Sequence, residues 1–405
     1  MTRTRGGSPQ ATKERPGSLG PVRLLIGTTF LMVVGYGLTA PVIPLYASHL
    51  GFAAAQIGLV VAAYGFARLS FDLVGGVMGD RFGVRRMVIG GCLIASCGAF
   101  ISATSVSGTG LLAGQVVAGV GSSIYNAAAL TAVILAAGPQ TRARALGAYH
   151  TVMIMAYSAG PIFGGLIADA LGLKAPFFLF SVLGAAAAVT LLRVMPLGLS
   201  RLGEAGERLP ISLALRQLLS SFPFVVALLV VTTGYMVRAG IRDTTVPIFA
   251  AGEFGMGASM IGLLSGVAVL INALLLPHVG RVLDRRGRRP ATVWGCAGTG
   301  ATLVMLAGVR AVWQIFAVMF LLGIASAYAG LGPVASLADL MDDKSPGASV
   351  GLQRMGIDLG MVVGPAVAGV SVQHLGSRST FVVFAGLMFA VSALSALAPE
   401  TIPRG

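Results

Sequence analysis

The stretch GVMGDRFGVRR at residues 76–86 returns as GRVLDRRGRRP at residues 280–290, and that repetition decides the architecture. Asp80 and Asp284 stand 204 positions apart. The same offset carries Gly76 to Gly280, Arg81 to Arg285, Gly83 to Gly287 and Arg85 to Arg289. It also carries Gly91-Cys92 to Gly295-Cys296, Gly119 to Gly323 and Gly160-Pro161 to Gly364-Pro365. One ungapped offset holding from residue 76 to residue 365 implies a duplicated half.

Composition says what each half is made of. Hydrophobic residues are 56% of the chain and charged residues 10%, and the mean hydropathy is +0.87. Soluble domains carry roughly 25% charge, so this chain is too poor in charge to face water. In lipid the backbone must satisfy its own polar groups, which leaves helices or a closed barrel. A barrel needs period-2 alternation. The chain shows long apolar runs instead, each long enough to cross a membrane as a helix. Spans are expected near 22–48, 54–78, 87–106, 110–137, 145–169, 176–195, 222–250, 257–279, 291–309, 312–337, 347–371 and 378–398. The expected fold is all-α and integral to the membrane, with twelve helices in two six-helix lobes related by a pseudo-two-fold axis.

The formal net charge of +14 raises nucleic acid as a partner, and its placement argues against it. Of the 28 Lys and Arg residues, 21 fall in the tails and loops on the side of the two termini, 3 on the opposite side and 4 inside spans. That bias places both termini in the cytoplasm. Anionic lipid contact is a secondary use of the same charge. The domain plan is a disordered cytoplasmic tail at 1–20, a lobe at 21–196, a linker at 197–220, a second lobe at 221–399 and a short tail at 400–405. Ile211–Ser220 could form a short amphipathic helix on the membrane surface. The three cysteines, Cys92, Cys97 and Cys296, all fall in spans with neither metal spacing nor a disulfide pattern. No metal or cofactor is expected, and no nucleotide-binding loop is present, which favours a gradient over ATP as the energy source. Nothing in the chain points to an enzyme.

The duplicated loop has readable physics. Gly76 permits close helix contact, and Gly83 permits a turn that a Cβ would strain. Asp80 can accept from backbone N–H groups at a nearby helix start. The paired loops, the six-plus-six layout and the central linker resemble the major facilitator superfamily over nearly the whole chain. The loop motif G-x-x-x-D-R-x-G-x-R-R is met by Gly76, Asp80, Arg81, Gly83, Arg85 and Arg86, and the second copy supplies Gly280, Asp284, Arg285, Gly287 and Arg289. The resemblance implies a loop that latches the lobes, and the arginines alone would serve as a topology signal.

In the fifth span, Gly160-Pro161-Ile-Phe-Gly164-Gly165 resembles an element associated with antiporters of the superfamily. The resemblance is to its drug:proton antiporter branch and implies export. Gly364-Pro365 repeats the element, and a bend used for lobe packing would also recur. In the fourth span Gln115 stands where the family motif has an arginine tied to proton coupling, leaving either a substrate contact or an interhelical hydrogen bond.

Ionisable groups inside spans are costly, so each is a candidate for function. Arg68 and Asp72 stand at i, i+4 in the second span, and Arg354 and Asp358 at i, i+4 in the eleventh. In the family fold these spans meet between lobes, so the two pairs are expected to exchange partners across that interface, with static pairing within each helix as the alternative. Asp358 is the leading candidate for proton coupling. Arg238, Arg242 and Asp243 occupy the seventh span, and Arg238 is expected in its outer half, serving an anionic substrate, a gate or the membrane interface. Asp243, five residues from Arg238, is poorly placed to neutralise it. Further cavity candidates are Tyr36, Tyr64, Asn126, Asn272 and Gln353. The resulting expectation is a monomeric secondary transporter of a bacterial inner membrane. Its partners are the lipid bilayer, protons and a small molecule, and it exports amphipathic or drug-like compounds. Uptake of a metabolite or organic anion is the first alternative, and a receptor without transport the second.

Overall fold

The computed structural model describes residues 19–137, 141–195, 218–340 and 346–401, with the side chains of residues 19, 72–82, 143 and 346–350 excepted. Among the described residues all regular structure is helical. The first lobe contains α1 (Leu19–Thr39), α2 (Val42–His49), α3 (Ala54–Phe82), α4 (Val84–Thr104), α5 (Gly108–Ala136), α6 (Arg142–Leu171) and α7 (Ala175–Val194). The second contains α8 (Phe222–Met236), a π-helical segment (Val237–Thr245), α9 (Val246–Phe254), α10 (Ala258–Arg286), α11 (Arg288–Ala307), α12 (Val312–Asp339) and α13 (Pro346–Leu397).

Three of these depart from a simple span. The expected span 22–48 breaks between α1 and α2, where Pro41 precedes the first residue of α2 and cannot donate to the helix ladder. The seventh span, expected to end at residue 250, runs to Phe254 and stops at Gly255, whose φ of 62° is the left-handed region. Last, α13 is two helices that meet at Gly376, where φ is 80°. Counting α1 with α2, α8 through α9 as one and α13 as two gives twelve crossings, six per lobe. The first and last described residues therefore lie at one end of the bundle, the terminal end; the other is the distal end. Most of the tails, most of the linker and most of the expected helix Ile211–Ser220 lie outside the described residues.

The outer surface is apolar. Phe66, Phe163, Val182 and Leu274 are each more than half exposed, a distribution that suits lipid and would be an aggregation hazard in water. Trp294 and Trp313, both prominently exposed, lie near opposite ends of the bundle, where indole rings favour the membrane interface.

Two helix pairs make most of the contact between the lobes, α3 with α13 and α6 with α10. In their distal halves these seams are copies of one another. The carbonyl of Pro161 occupies the space over Gly262, and the carbonyl of Pro365 the space over Gly58. Gly58 maps to Gly262, and Pro161 to Pro365, by the same offset of 204. A Cβ at either glycine would collide with backbone of the opposite lobe, the small-residue logic of close helix packing in lipid. At the distal rim the Asp169 carboxylate accepts from the backbone N–H of Ala258 at 2.9 Å and of Ser259 at 2.8 Å, capping α10 from the other lobe. Its counterpart at the same offset, Gln373, accepts from the N–H of Ala55 at 3.2 Å. Both side chains satisfy donors that a helix start leaves unpaired.

Candidate functional site

The functional centre lies midway along the helices, on the terminal side of these seams. Arg68 stands 14 residues from each end of α3. Its guanidinium lies 3.3 Å from the Asp358 carboxylate on α13, and Asp358 is 1% exposed. The pair spans the lobe interface and is shielded from solvent, where a carboxylate persists only with a cation or a proton. Arg354 makes no ion pair among the described residues, so the alternative of a static i, i+4 pair within α13 is absent there, and Asp358 pairs across the interface. The side chain of Asp72 lies outside the described residues.

Arg238 is sixteen residues from both Phe222 and Phe254. It therefore sits at the middle of its span; the expected outer position followed from ending the span too early. Its guanidinium carbon lies 5.0 Å from the ring centre of Tyr157 and 5.5 Å from that of Tyr235. Tyr36 meets Tyr157 edge-on at 6.4 Å and stacks on Tyr64 at 4.6 Å. An aromatic cluster drawn from α1, α3, α6 and α8 thus leads up to one cation, which two of its rings meet. Four residues on, Arg242 donates to Asp243 through Nε at 2.8 Å and through a terminal nitrogen at 3.3 Å. The π-helical backbone is held here by the hydroxyls of Thr244 and Thr245, which donate at 2.8 Å to carbonyls five residues back. Such segments concentrate at functional sites.

A cavity of about 350 Å³ adjoins this centre. Arg238, Arg242, Asn272, Gln353, Tyr157 and Tyr235 border it, with an otherwise largely apolar wall from α8, α10, α12 and α13. The Asn272 amide donates to the Ser326 hydroxyl at 3.0 Å. Tyr36 and Asp243 border a smaller neighbouring pocket. Gln115 is elsewhere: it is buried between α4 and α5 and donates to the Ser102 hydroxyl at 3.3 Å, the interhelical bond that a buried amide requires. Asn126 does not border the cavity either.

The repeated loop divides its work within each lobe. Asp80, Arg81 and Gly76 have side-chain positions outside the described residues. Gly83 and Gly287 end the preceding helix with φ of 80° and 98°. Arg85 donates to the carbonyls of Leu192 at 2.7 Å and Met195 at 3.0 Å, and Arg289 donates to the carbonyl of Ala396. Leu192 and Ala396 are again 204 apart, so each arginine ties down the last helix of its own lobe, where orphan carbonyls attract a cation. That is a bond within a lobe, unlike the latch between lobes that the resemblance implied for these two. In the second copy the start of α11 is capped by Glu400, which accepts from the N–H of Arg288 at 2.9 Å and of Arg289 at 3.2 Å. Asp284 instead accepts from the Arg288 side chain at 3.2 Å, and Gly280 has open space in place of a helix contact. The elements at Gly160-Pro161 and Gly364-Pro365 serve close packing: Gly160 and Gly164 meet the α1 backbone, Gly165 meets Ala258, and Gly364 meets Met236.

Tyr157, Tyr235, Asp169 and Gln373 escaped the sequence reading. Tyr235 lies one turn before Arg238, and Asp169 and Gln373 share the 204 offset, so both signals were present. Among the described residues no cluster of His, Cys, Asp or Glu could hold a metal.

The model of the Major Facilitator Superfamily matches residues 25–241 and 231–404. The tetracycline resistance protein, class C, of Escherichia coli is 30% identical over 371 residues, covering 88% of this chain and 90% of that protein. Multidrug resistance protein 2 of Bacillus subtilis is 25% identical, covering 86% and 87%. Among solved structures, a peptide transporter POT in complex with sulfate superposes with a TM-score of 0.77 at 13% identity, covering 95% of each chain. With two homologous lobes meeting at a buried ion pair and cavity, the chain belongs to the Major Facilitator Superfamily of membrane transporters.

Proposed function

We propose that the protein exports small amphipathic molecules in exchange for protons, as a monomer in a bacterial cytoplasmic membrane with both termini in the cytoplasm. The observation that carries this reading is the Arg68–Asp358 pair between the lobes, 3.3 Å apart, with the preceding residue Ile357 on the cavity wall. Protonation of Asp358 removes the charge that holds Arg68 and loosens the α3–α13 seam. Release of the proton restores the pair. A lobe motion coupled in this way gives alternating access around the central cavity. Export is supported by the relatives named for tetracycline and multidrug resistance and by the antiporter-like Gly160-Pro161 element. In this orientation the cavity lies on the cytoplasmic side of the joined distal seams.

The test is proton flux in proteoliposomes carrying an internal pH dye. Addition of a transported compound should drive proton movement in wild type, and Asp358→Asn should abolish the coupling while substrate binding survives. Undiminished flux in Asp358→Asn would remove this residue from the mechanism. Everted vesicles decide direction: accumulation driven by an inside-acid gradient marks export, whereas accumulation only in right-side-out vesicles would mark uptake.

A further inference from the structure

We propose that the guests of the central cavity are amphipathic organic anions, held through their anionic group by Arg238. This rests on the reading of the cavity as the substrate site and assigns the charge of its substrate.

The cavity wall contains two guanidinium groups and, among the described residues, no carboxylate. The two cations are not equivalent. Arg242 is matched by Asp243 at 2.8 Å. Arg238 has no ion pair among the described residues, and its Nε is buried without a hydrogen-bond acceptor. A guanidinium cannot shed its proton to escape burial. Tyr157 and Tyr235 lie within cation–π distance of it, and such contacts stabilise the charge without accepting its N–H bonds. Those donors form a planar fork whose complement is an anion with two adjacent oxygens, such as a carboxylate or sulfonate. The remaining wall, including Val230, Val269, Leu276, Leu322 and Met388, suits an apolar body, and the volume fits a small molecule. A lipophilic cation would face two guanidiniums and no counter-charge on this wall.

The test is equilibrium binding to the purified full-length protein in lipid nanodiscs, by calorimetry, with three probes of one shape. These are 2-naphthoate, its neutral methyl ester and 2-naphthyltrimethylammonium. The naphthoate should bind about tenfold or more tightly than either analogue, the margin expected when a charge-assisted pair is made. Arg238→Gln should erase that margin by weakening the naphthoate, and Arg238→Lys should retain part of it. The order of the three probes on the wild type needs no variant to fold. Equal or tighter binding of the ammonium, absence of naphthoate binding, or an unchanged margin in Arg238→Gln would each overturn the proposal. Binding needs no gradient: naphthoate that binds through Arg238 yet moves no protons would sink the transport reading alone. Proton flux driven by ammonium compounds would sink this one alone.

Discussion

The Pro161 carbonyl packs onto Gly262 across the lobe interface, and its duplicate packs Pro365 onto Gly58. The two contacts exchange lobes under the same offset of 204, so the distal closure is built twice from one ancestral seam. Each seam combines a proline inside a helix, whose carbonyl faces the other lobe, with a glycine that leaves room for it.

A side chain at either glycine should therefore act on conformation. Gly262→Val places a branched side chain where a backbone carbonyl now lies, and overpacking of this kind costs about 1–3 kcal/mol. The distal-closed state should lose population by roughly five- to 150-fold. Spin labels at Val106→Cys and Arg310→Cys, in a background without Cys92, Cys97 and Cys296, report the distal separation by electron paramagnetic resonance. Both label sites are exposed at distal turns. A longer mean distance is expected, and an unchanged distribution would show that the seam yields elsewhere.

Removal of the distal caps should shift the same equilibrium more gently. Asp169 caps α10 from the opposite lobe with two bonds, at 2.9 and 2.8 Å. Loss of a helix cap costs about 0.5–2 kcal/mol. Asp169→Ala should lengthen the Val106–Arg310 distance, and Gln373→Ala should do so less, since the amide is uncharged and makes a single 3.2 Å bond. The asymmetry is the informative result, because the two positions are copies that differ in charge.

Arg85 and Arg289 should behave as fixtures within their own lobes. Each donates to carbonyls at the end of the last helix of its lobe. Replacement by Ala should lower thermal stability by about 1–2 kcal/mol and leave the distal distance distribution unchanged. A shift in lobe separation without loss of stability would return these arginines to a latch.

Much of this architecture was legible because duplication leaves an arithmetic trace. The offset that pairs Asp80 with Asp284 also pairs the seams, the caps and the two helix-tying arginines. What could not be read follows from tertiary context. Glu400 takes the helix-capping position at α11 from a site 116 residues beyond Asp284, and no local pattern announces that. The π-helical segment carries side-chain bonds from Thr244 and Thr245 to carbonyls five residues back, whereas the periodicity of the stretch reads as ordinary helix. Arg238 was placed too far out because Gly255, not residue 250, ends the span. Gln115 was set among cavity residues by its place in a motif, but its helix face is the one buried against α4.

The adjacent Arg242–Asp243 pair gives a test of charge balance at the centre. Both side chains are largely buried, at 16% and 13% exposure. Asp243→Asn would leave Arg242 uncompensated four residues from Arg238, two like charges within one turn of backbone. Breaking a deeply buried pair costs about 3–5 kcal/mol, and partial access of solvent should reduce this to about 1–3 kcal/mol. The apparent melting temperature, followed by fluorescence-detected size exclusion, should fall in Asp243→Asn. Arg242→Gln combined with Asp243→Asn removes both charges and should recover most of the loss, since a neutral pair leaves no orphaned cation. A double variant no better than the single one would mean that Asp243 serves Arg238 instead. Arg238 would then already hold a resident counter-ion, and the anion site inferred above would have to be reassigned.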